Sequence, residues 1–410
     1  MNYEARRKQL MEEMEEGSLL ILYSGMPSHI SADAYYEFEA NRHFFYLTGL
    51  RRENMVLLMR KSGENSRVSL YIEKADPGAE RWTGKMVTPE EAKEISGITD
   101  VRFVDRFEAE IHYLLNGAQI SCCYFDCFRN QSGDLPDYNL SKARQFASNY
   151  PGVPVRNLWA AVSRQRMGKD EDEVALIRKA VDITGQALQR VMTSLRPGMK
   201  EYQAQADFEY MVHYLGAEGP SFPTIAGSGK NGCMLHYETN RETCQDGSLL
   251  LLDLGVRWEG YCSDITRTYP VNGKFTERQR QVYEIVLRAN KEVAMQAKPG
   301  MTTRELNDIC KKVLAAGCME LGLIEKEEEI GKYYMHGVSH HLGIDVHDVT
   351  VEGMKLAPGS VITDEPGLYI DEWEIGIRIE DDLLITEEGC QVLSAGIIKE
   401  PEEIEAFMAQ

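Results

Sequence analysis

Residues 249–270 read LLLLDLGVRWEGYCSDITRTYP, and the organisation of the whole chain follows from how they fold. Four leucines ahead of Asp253 make an apolar run of strand length. A glycine-bearing turn over 257–261 follows, and residues 262–269 alternate as a second strand, so the unit reads as a β-hairpin. Successive strand side chains point to opposite faces, so parity decides whether Asp253 and Asp264 meet. A two-residue turn at Trp258-Glu259 sets Asp253 opposite Asp264. A turn at Glu259-Gly260 sets Asp253 opposite Thr266 and leaves Asp264 as the diagonal neighbour on the same face. Both registers bring the carboxylates together, and only a loop of odd length separates them. Like charges side by side in a dry strand must share a proton, stay wet or share a cation. The plain alternative is an aspartate at each of two exposed strand ends.

A chain of 410 residues is long enough for two domains. Its 43% hydrophobic and 27% charged content is that of a soluble globular protein. The formal charge of −20 argues against nucleic acid or an anionic membrane as partner, because both demand a positive face. Residues 1–17 form a charged amphipathic helix without an apolar signal core, and no run of apolar residues is long enough to span a bilayer. A cytoplasmic location is expected. The nine cysteines are scattered without paired C-x-x-C spacing; Cys122, Cys123 and Cys127 match no zinc pattern, so free thiols in a reducing compartment are expected.

Upstream of the hairpin, SLLILYSG, NMVLLMR and VSLYIEK are short apolar strands, and TPEEAKEISG opens on a threonine cap as a short helix. The aromatic run NRHFFYLTGL, residues 41–50, reads as core packing. No set of titratable residues there has a catalytic spacing. Near Gly168 the character changes, as GKDEDEVALIRKAV begins with acidic residues at a helix start and continues at helical spacing. The boundary falls within 162–169, giving a smaller N-terminal α/β domain over 1–163 and a second domain over 164–410.

The second domain carries an internal echo. One long helix closes on Arg196-Pro197-Gly198-Met199 and a later one, over 277–297, on Lys298-Pro299-Gly300-Met301; each is followed by another amphipathic helix, from Glu201 and from Thr303. Gly247-Ser248 precedes Asp253 by the spacing with which Gly359-Ser360 precedes Glu365. The two halves read as copies of one helix-helix-sheet unit, with equivalent strands each delivering a carboxylate.

Four of the nine histidines, His336, His340, His341 and His347, lie in HGVSHHLGIDVHD over 336–348. Glu365 lies in VITDEPGLYI, where Pro-Gly cuts an apolar strand, and Glu380 in EIGIRIEDDLLIT, where isoleucines alternate with Gly376, Arg378 and Glu380. Singly, each acid reads equally well as a strand-face residue. Together, Asp253, Asp264, Glu365, Glu380 and an imidazole are an oxygen-rich set that suits two divalent cations better than one structural zinc. Such a pair of ions about 3.5–4 Å apart lowers the pKa of a shared water and clamps a carbonyl oxygen. Residues 227–231, GSGKN, resemble a phosphate loop but lack the glycine six positions before Lys230 and the Ser or Thr after it.

The ordered series LLDLG…SDITRT, HGVSHHLGIDVHD, ITDEPGLYI and GIRIEDDLLIT resembles the dinuclear pita-bread metallopeptidases, most closely the Xaa-Pro aminopeptidases (aminopeptidase P) and next the Xaa-Pro dipeptidases (prolidase). NRHFFYLTGL and DPGAERWTGKMVTPEEAKE resemble that family's N-terminal module. The resemblance implies an α+β pita-bread catalytic domain, internally duplicated, behind a smaller α/β domain. It implies five metal ligands, Asp253, Asp264, His340, Glu365 and Glu380, with Asp264 and Glu380 bridging. It implies that His236, His336, His347 and Tyr369 contact substrate. Glu365 is then the proton carrier, with His236, His347 and Arg378 beside it in catalysis. The implied reaction is metal-dependent hydrolysis of the N-terminal Xaa-Pro bond by a metal-bridging water or hydroxide, and the implied partner is a peptide with proline second. Manganese is the expected metal, with cobalt, zinc or iron as alternatives, and the assembly a homodimer or homotetramer. A strict Xaa-Pro dipeptidase and a non-catalytic binding module on the same fold are the competing readings. Two departures from the family pattern are His341, where relatives often have tryptophan or a small residue, and Thr350, where glycine is usual. His341 leaves two adjacent imidazoles as candidates for one ligand position.

Overall fold

The computed structural model describes residues 1–410, the side chain of Thr83 excepted. The chain forms two compact units, Met1–Arg166 and Met167–Gln410. The sequence placed the division at 163/164, inside what is observed as the helix Trp159–Met167.

The first unit is built on a six-stranded sheet in the order Asp100–Phe103, Arg67–Ile72, Val56–Arg60, Leu19–Tyr23, Cys123–Phe125, Val155–Asn157. Only Val56–Arg60 runs antiparallel to its neighbours. Leu19–Tyr23 is buried along its whole length, which is why it reads as an unbroken apolar run rather than an alternating one. The helix Pro89–Ser96 opens on a reciprocal cap between Thr88 and Glu91. The aromatic run 41–50 is the helix Arg42–Thr48, with Phe44, Phe45 and Tyr46 in the core.

In the second unit the internal echo is a physical one. Helices Glu171–Ser194 and Glu201–Tyr214 pack together, as do Glu277–Gln296 and Thr303–Glu320. Capping boxes start Glu171–Ser194 (Asp170, Glu173), Glu277–Gln296 (Thr276, Gln279) and Thr303–Glu320 (Thr302, Glu305). Gly198 and Gly300 share φ of +87°, a left-handed turn that a Cβ would strain. The same backbone ladder follows each. Gly198 donates to Cys244 O (2.9 Å) and Cys244 returns to Met199 O (2.8 Å), while Gly300 donates to Leu356 O (2.8 Å) and Leu356 to Met301 O (2.8 Å).

Each copy then contributes sheet. Ile225–Ser228, Leu249–Leu254 and Ile265–Pro270 form one three-stranded antiparallel sheet, and Val361–Asp364, Asp381–Ile385 and Cys390–Val392 another; Gly367–Ile370 pairs with Ile375–Arg378. One core joins sheets and helices, with Leu250, Leu252 and Leu254 on the same side as Val282, Val286 and Leu314. Two expectations need correction. The hairpin is not continuous, because pairing breaks between Leu249–Leu254 and Val256–Trp258 on one arm and between Tyr261–Cys262 and Ile265–Pro270 on the other. Glu380 lies between the strands Ile375–Arg378 and Asp381–Ile385 rather than within one. Among the described residues no helix is long and apolar enough to cross a membrane, and all nine cysteines are free.

Candidate metal centre

The hairpin turns at Glu259-Gly260, both in the left-handed region (φ 46° and 83°), so Trp258 pairs with Tyr261 and Asp253 with Thr266. Of the two registers open in the sequence, this is the one with Asp264 as diagonal neighbour. The kink falls at Gly255, where a Cβ would lie 1.9 Å from Ser263 O. Strand parity then separates two faces. Leu250, Leu252, Ile265 and Tyr269 enter the helix-packed core, whereas Leu251 and Asp253 share the face on which Tyr369 and Ile225 sit.

The second copy lays its histidines along a strand. Leu342 N donates to Val361 O (3.0 Å), Thr363 N to His340 O (2.9 Å) and Glu365 N to Val338 O (2.9 Å). His341 is therefore opposite Ile362, a core residue, and His340 lies on the other face with Thr363 and Glu365. This separates the two adjacent imidazoles. His341 is buried, its Nδ1 has no hydrogen-bond partner, and its pKa falls to about 4 through burial and the nearby Lys169. His340 Nδ1 lies 3.0 Å from the His341 carbonyl, which can only accept, so Nδ1 carries a proton and Nε2 is the atom turned toward the carboxylates.

His340 Nε2 is 3.4 Å from Asp264 Oδ2 and 3.6 Å from Glu365 Oε1. One ligand atom each from Asp264, His340 and Glu380 lie within 4.8 Å of one another. Asp253 Oδ1 and Asp264 Oδ1 are buried without a hydrogen-bond partner. Burial, reinforced by the neighbouring acids, pushes the Asp264 and Glu380 carboxyls far above the usual range. Burial likewise raises Glu365 to about 7, against the pull of His340 and Arg378. Protein groups alone leave this cluster starved of positive charge. Divalent cations fit it on both counts, since they supply the missing charge and take the orphaned oxygens.

Arg378 crosses the floor of the cluster. Its NH2 donates to Asp253 Oδ2 (2.5 Å), its Nε to Thr266 Oγ1 (3.1 Å) and its NH1 to Tyr369 OH (2.8 Å). Burial works against its charge, but Tyr369, Asp253 and Glu380 hold it firmly protonated. Tyr369 OH lies 2.8 Å from His336 Nε2, and His336 Nδ1 is 2.7 Å from Gly337 O. With the His336 proton on Nδ1, the tyrosine donates to Nε2 and accepts from Arg378. Burial lowers His336 to about 4, which keeps it neutral. His347 is exposed, its ring 4.3 Å from that of His340 at 73°. His236 is exposed too, and its neighbours Leu235 and Tyr237 pack on the cluster of Ile225, Leu251 and Tyr369.

Sequence reasoning missed Thr266. Its hydroxyl donates to Glu380 Oε2 (2.6 Å) while accepting from Arg378, and its carbonyl accepts from Glu380 N (3.0 Å). Parity was the available signal, because Thr266 shares a face with Asp264 two residues before it. The shell beneath was missed as well. Arg267 donates to Glu380 O (2.6 Å) and to Asp381 Oδ1 (2.7 Å), and Asp381 also accepts from Ser394 Oγ (2.6 Å) and Lys399. Burial alone would raise Asp381, yet Arg267 and Lys399 hold it well below the ordinary carboxylate range.

Residues 175–387 match the model of metallopeptidase family M24, and residues 3–124 that of the aminopeptidase P N-terminal domain. The chain belongs to metallopeptidase family M24. Among its relatives, the Xaa-Pro aminopeptidase of Escherichia coli (strain K12) is 36% identical, with 99% of this chain and 97% of that one covered. A solved Bacillus anthracis structure assigned as aminopeptidase P superposes with a TM-score of 0.96 at 41% identity, covering 99% of this chain and 97% of that one. Zinc-substituted E. coli aminopeptidase P in complex with product superposes at 0.90 with 34% identity, covering 100% and 98%. The expected fold is shown: an N-terminal α/β domain followed by a pita-bread catalytic domain with the dinuclear metal site of its family.

Proposed function

We infer that this chain is a metal-dependent Xaa-Pro aminopeptidase, releasing the N-terminal residue from peptides with proline second. The observation that carries the reading is the convergence of Asp253, Asp264, His340, Glu365 and Glu380, from distant parts of the chain, on one site with orphaned buried oxygens. These five side chains would hold two divalent cations. Manganese is the proposed metal, although an oxygen-rich set also accepts Co2+, Zn2+ or Fe2+. When bound, such a pair supplies Lewis acidity toward the scissile carbonyl and lowers the pKa of water.

The chain's own groups account for the rest. Glu365 is proposed to take the proton of the attacking water and hand it to the departing nitrogen. His347 and His236 are proposed to donate toward the carbonyl oxygen as it gains charge. The substrate amine is proposed to bind near Asp253. Arg378 and Thr266 hold Asp253 and Glu380 still, and the chain from Arg378 through Tyr369 fixes the orientation of His336. Proline nitrogen in a peptide bears no hydrogen, so the site cannot hold the scissile bond through an N–H donor, and the nitrogen, like any leaving amine, takes its proton from an acid as the bond breaks.

The test sets an Xaa-Pro dipeptide against an Xaa-Pro-Yaa tripeptide with the Mn2+-loaded protein. Cleavage of the tripeptide, releasing Xaa, is expected. Cleavage of the dipeptide alone would make the chain a prolidase. Asp264→Asn, assayed for metal per chain and for activity, separates an enzyme from a binding module, which would keep its partner without metal. The proposed setting is cytoplasmic and homo-oligomeric, the latter to be read as dimer or tetramer mass by sedimentation.

A further inference from the structure

Glu201 opens the helix Glu201–Tyr214 and is fully buried, yet it takes no part in the cluster described above. A carboxylate offers about four acceptor positions. Here Oε1 accepts from Ser228 N (2.8 Å) and Asn231 Nδ2 (2.9 Å), and Oε2 from Tyr237 OH (2.8 Å) and Glu242 N (2.8 Å). All four donors belong to a single stretch, residues 228–242, which leaves the strand Ile225–Ser228, passes through the 3-10 turn Gly229–Cys233 and carries His236. After that turn the stretch forms no helix or strand; its far end is tied to the helix start by Glu201 N donating to Glu242 O (3.0 Å), and the carboxylate of Glu201 gathers the residues between.

The stretch is held from a second direction. Its turn lies against the strand that bears Arg378, so closely that a Cβ on Gly376 would meet Gly232 O at 1.9 Å. Leu235 and Tyr237, on either side of His236, pack on Ile225, Leu251 and Tyr369. The other copy of the duplicated unit has no such device: Thr303 stands where Glu201 does, while both helices are capped at the same position, Gln203 accepting from Lys200 N (2.8 Å) and Glu305 from Thr302 N (2.8 Å). A buried acid is therefore not what starting this helix requires.

We propose that Glu201 is a positioning residue for the peptidase reaction: by gathering four donors of residues 228–242 it fixes where His236 stands beside the Tyr369 cluster. This rests on the reading of His236 as a group that contacts substrate. A glutamine cannot replace the acid, because its NH2 must face either Ser228 N–H or Glu242 N–H, neither of which can accept.

Mn2+-loaded Glu201→Gln, His236→Ala and the double variant are compared for kcat/KM on an Xaa-Pro-Yaa tripeptide, with amide hydrogen exchange read in parallel. Glu201→Gln is expected to lower kcat/KM about tenfold. Exchange over 228–242 is expected to quicken while Leu249–Leu254 stays protected. The double variant is expected to fall no more than about twofold below His236→Ala, because residues acting through one another do not add. Losses that multiply would show that Glu201 acts independently of His236 and overturn the proposal, as would unchanged exchange over 228–242. Full activity of His236→Ala would instead overturn the role of His236 itself, and the route through it. If Glu201→Gln fails to fold, Tyr237→Phe, which removes one donor of four, enters the same cycle under the same criteria.

Discussion

Arg378 reaches an aspartate, a threonine and a tyrosine from a position that is almost wholly dry, and its charge survives only because those partners surround it. The same logic makes Thr266 more than a strand residue. Its hydroxyl joins Arg378 to Glu380. Thr266→Val keeps the shape and removes the hydroxyl, so kcat/KM or metal affinity should fall by about 10- to 100-fold, as when groups behind a metal ligand are lost. Metal titration and steady-state kinetics check this; a variant indistinguishable from wild type would mean that Glu380 needs no such support. Asp381→Asn tests the layer beneath. It leaves Arg267 buried with its charge largely uncompensated, and the expected destabilisation is about 3–5 kcal/mol in a denaturant melt.

The hairpin from Leu249 to Pro270 shows what an element adds to its residues. Its turn is Glu-Gly, not the Asn-Gly that announces a type I′ turn, and Glu259 nonetheless adopts φ of 46°. For that reason the register could not be chosen from the sequence, while the meeting of the two aspartates could, since it survives either choice. The kink at Gly255 was illegible because it depends on the close approach of Ser263 O, a contact made across the hairpin. Gly255→Ala should cost about 1–3 kcal/mol by overpacking and, by moving Asp253 relative to Asp264, should weaken metal binding along with stability. Equilibrium unfolding with and without Mn2+ checks both. Unaltered metal affinity would show that the kink does not set the spacing of the acids.

At the scale of the molecule, the cluster couples metal, protons and stability. In the metal-free protein Glu365, Asp264 and Glu380 bind protons more readily than they do unfolded. The stabilisation this gives is complete below the ordinary carboxylate range and is lost as pH rises, for Glu365 through about 7. Cations take the protons' place, so the Tm difference between Mn2+-loaded and chelated protein should widen from pH 5 to pH 8. His336 and His341, with depressed pKa values, act in the opposite sense but in both forms, and cancel in the difference. Thermal melts across that range decide the matter; a gap that narrows with rising pH would contradict the protonated cluster. The paired turns at Gly198 and Gly300 are where the internal duplication, expected from the sequence, is seen in the fold.

Taken alone, the sequence marked most of the helices and strands, because apolar periodicity, caps and the paired Pro-Gly turns are local signals, while the named ligand set was what the family resemblance implied. It also paired Asp253 with Asp264, since strand parity is arithmetic. Tertiary structure alone decided which of His340 and His341 faces the acids, which hairpin register holds, and that Thr266, Arg267 and Asp381 support the centre. Those outcomes depend on atoms meeting across distant segments, and the cost of burying an unpaired charge is set by neighbours that no local pattern names.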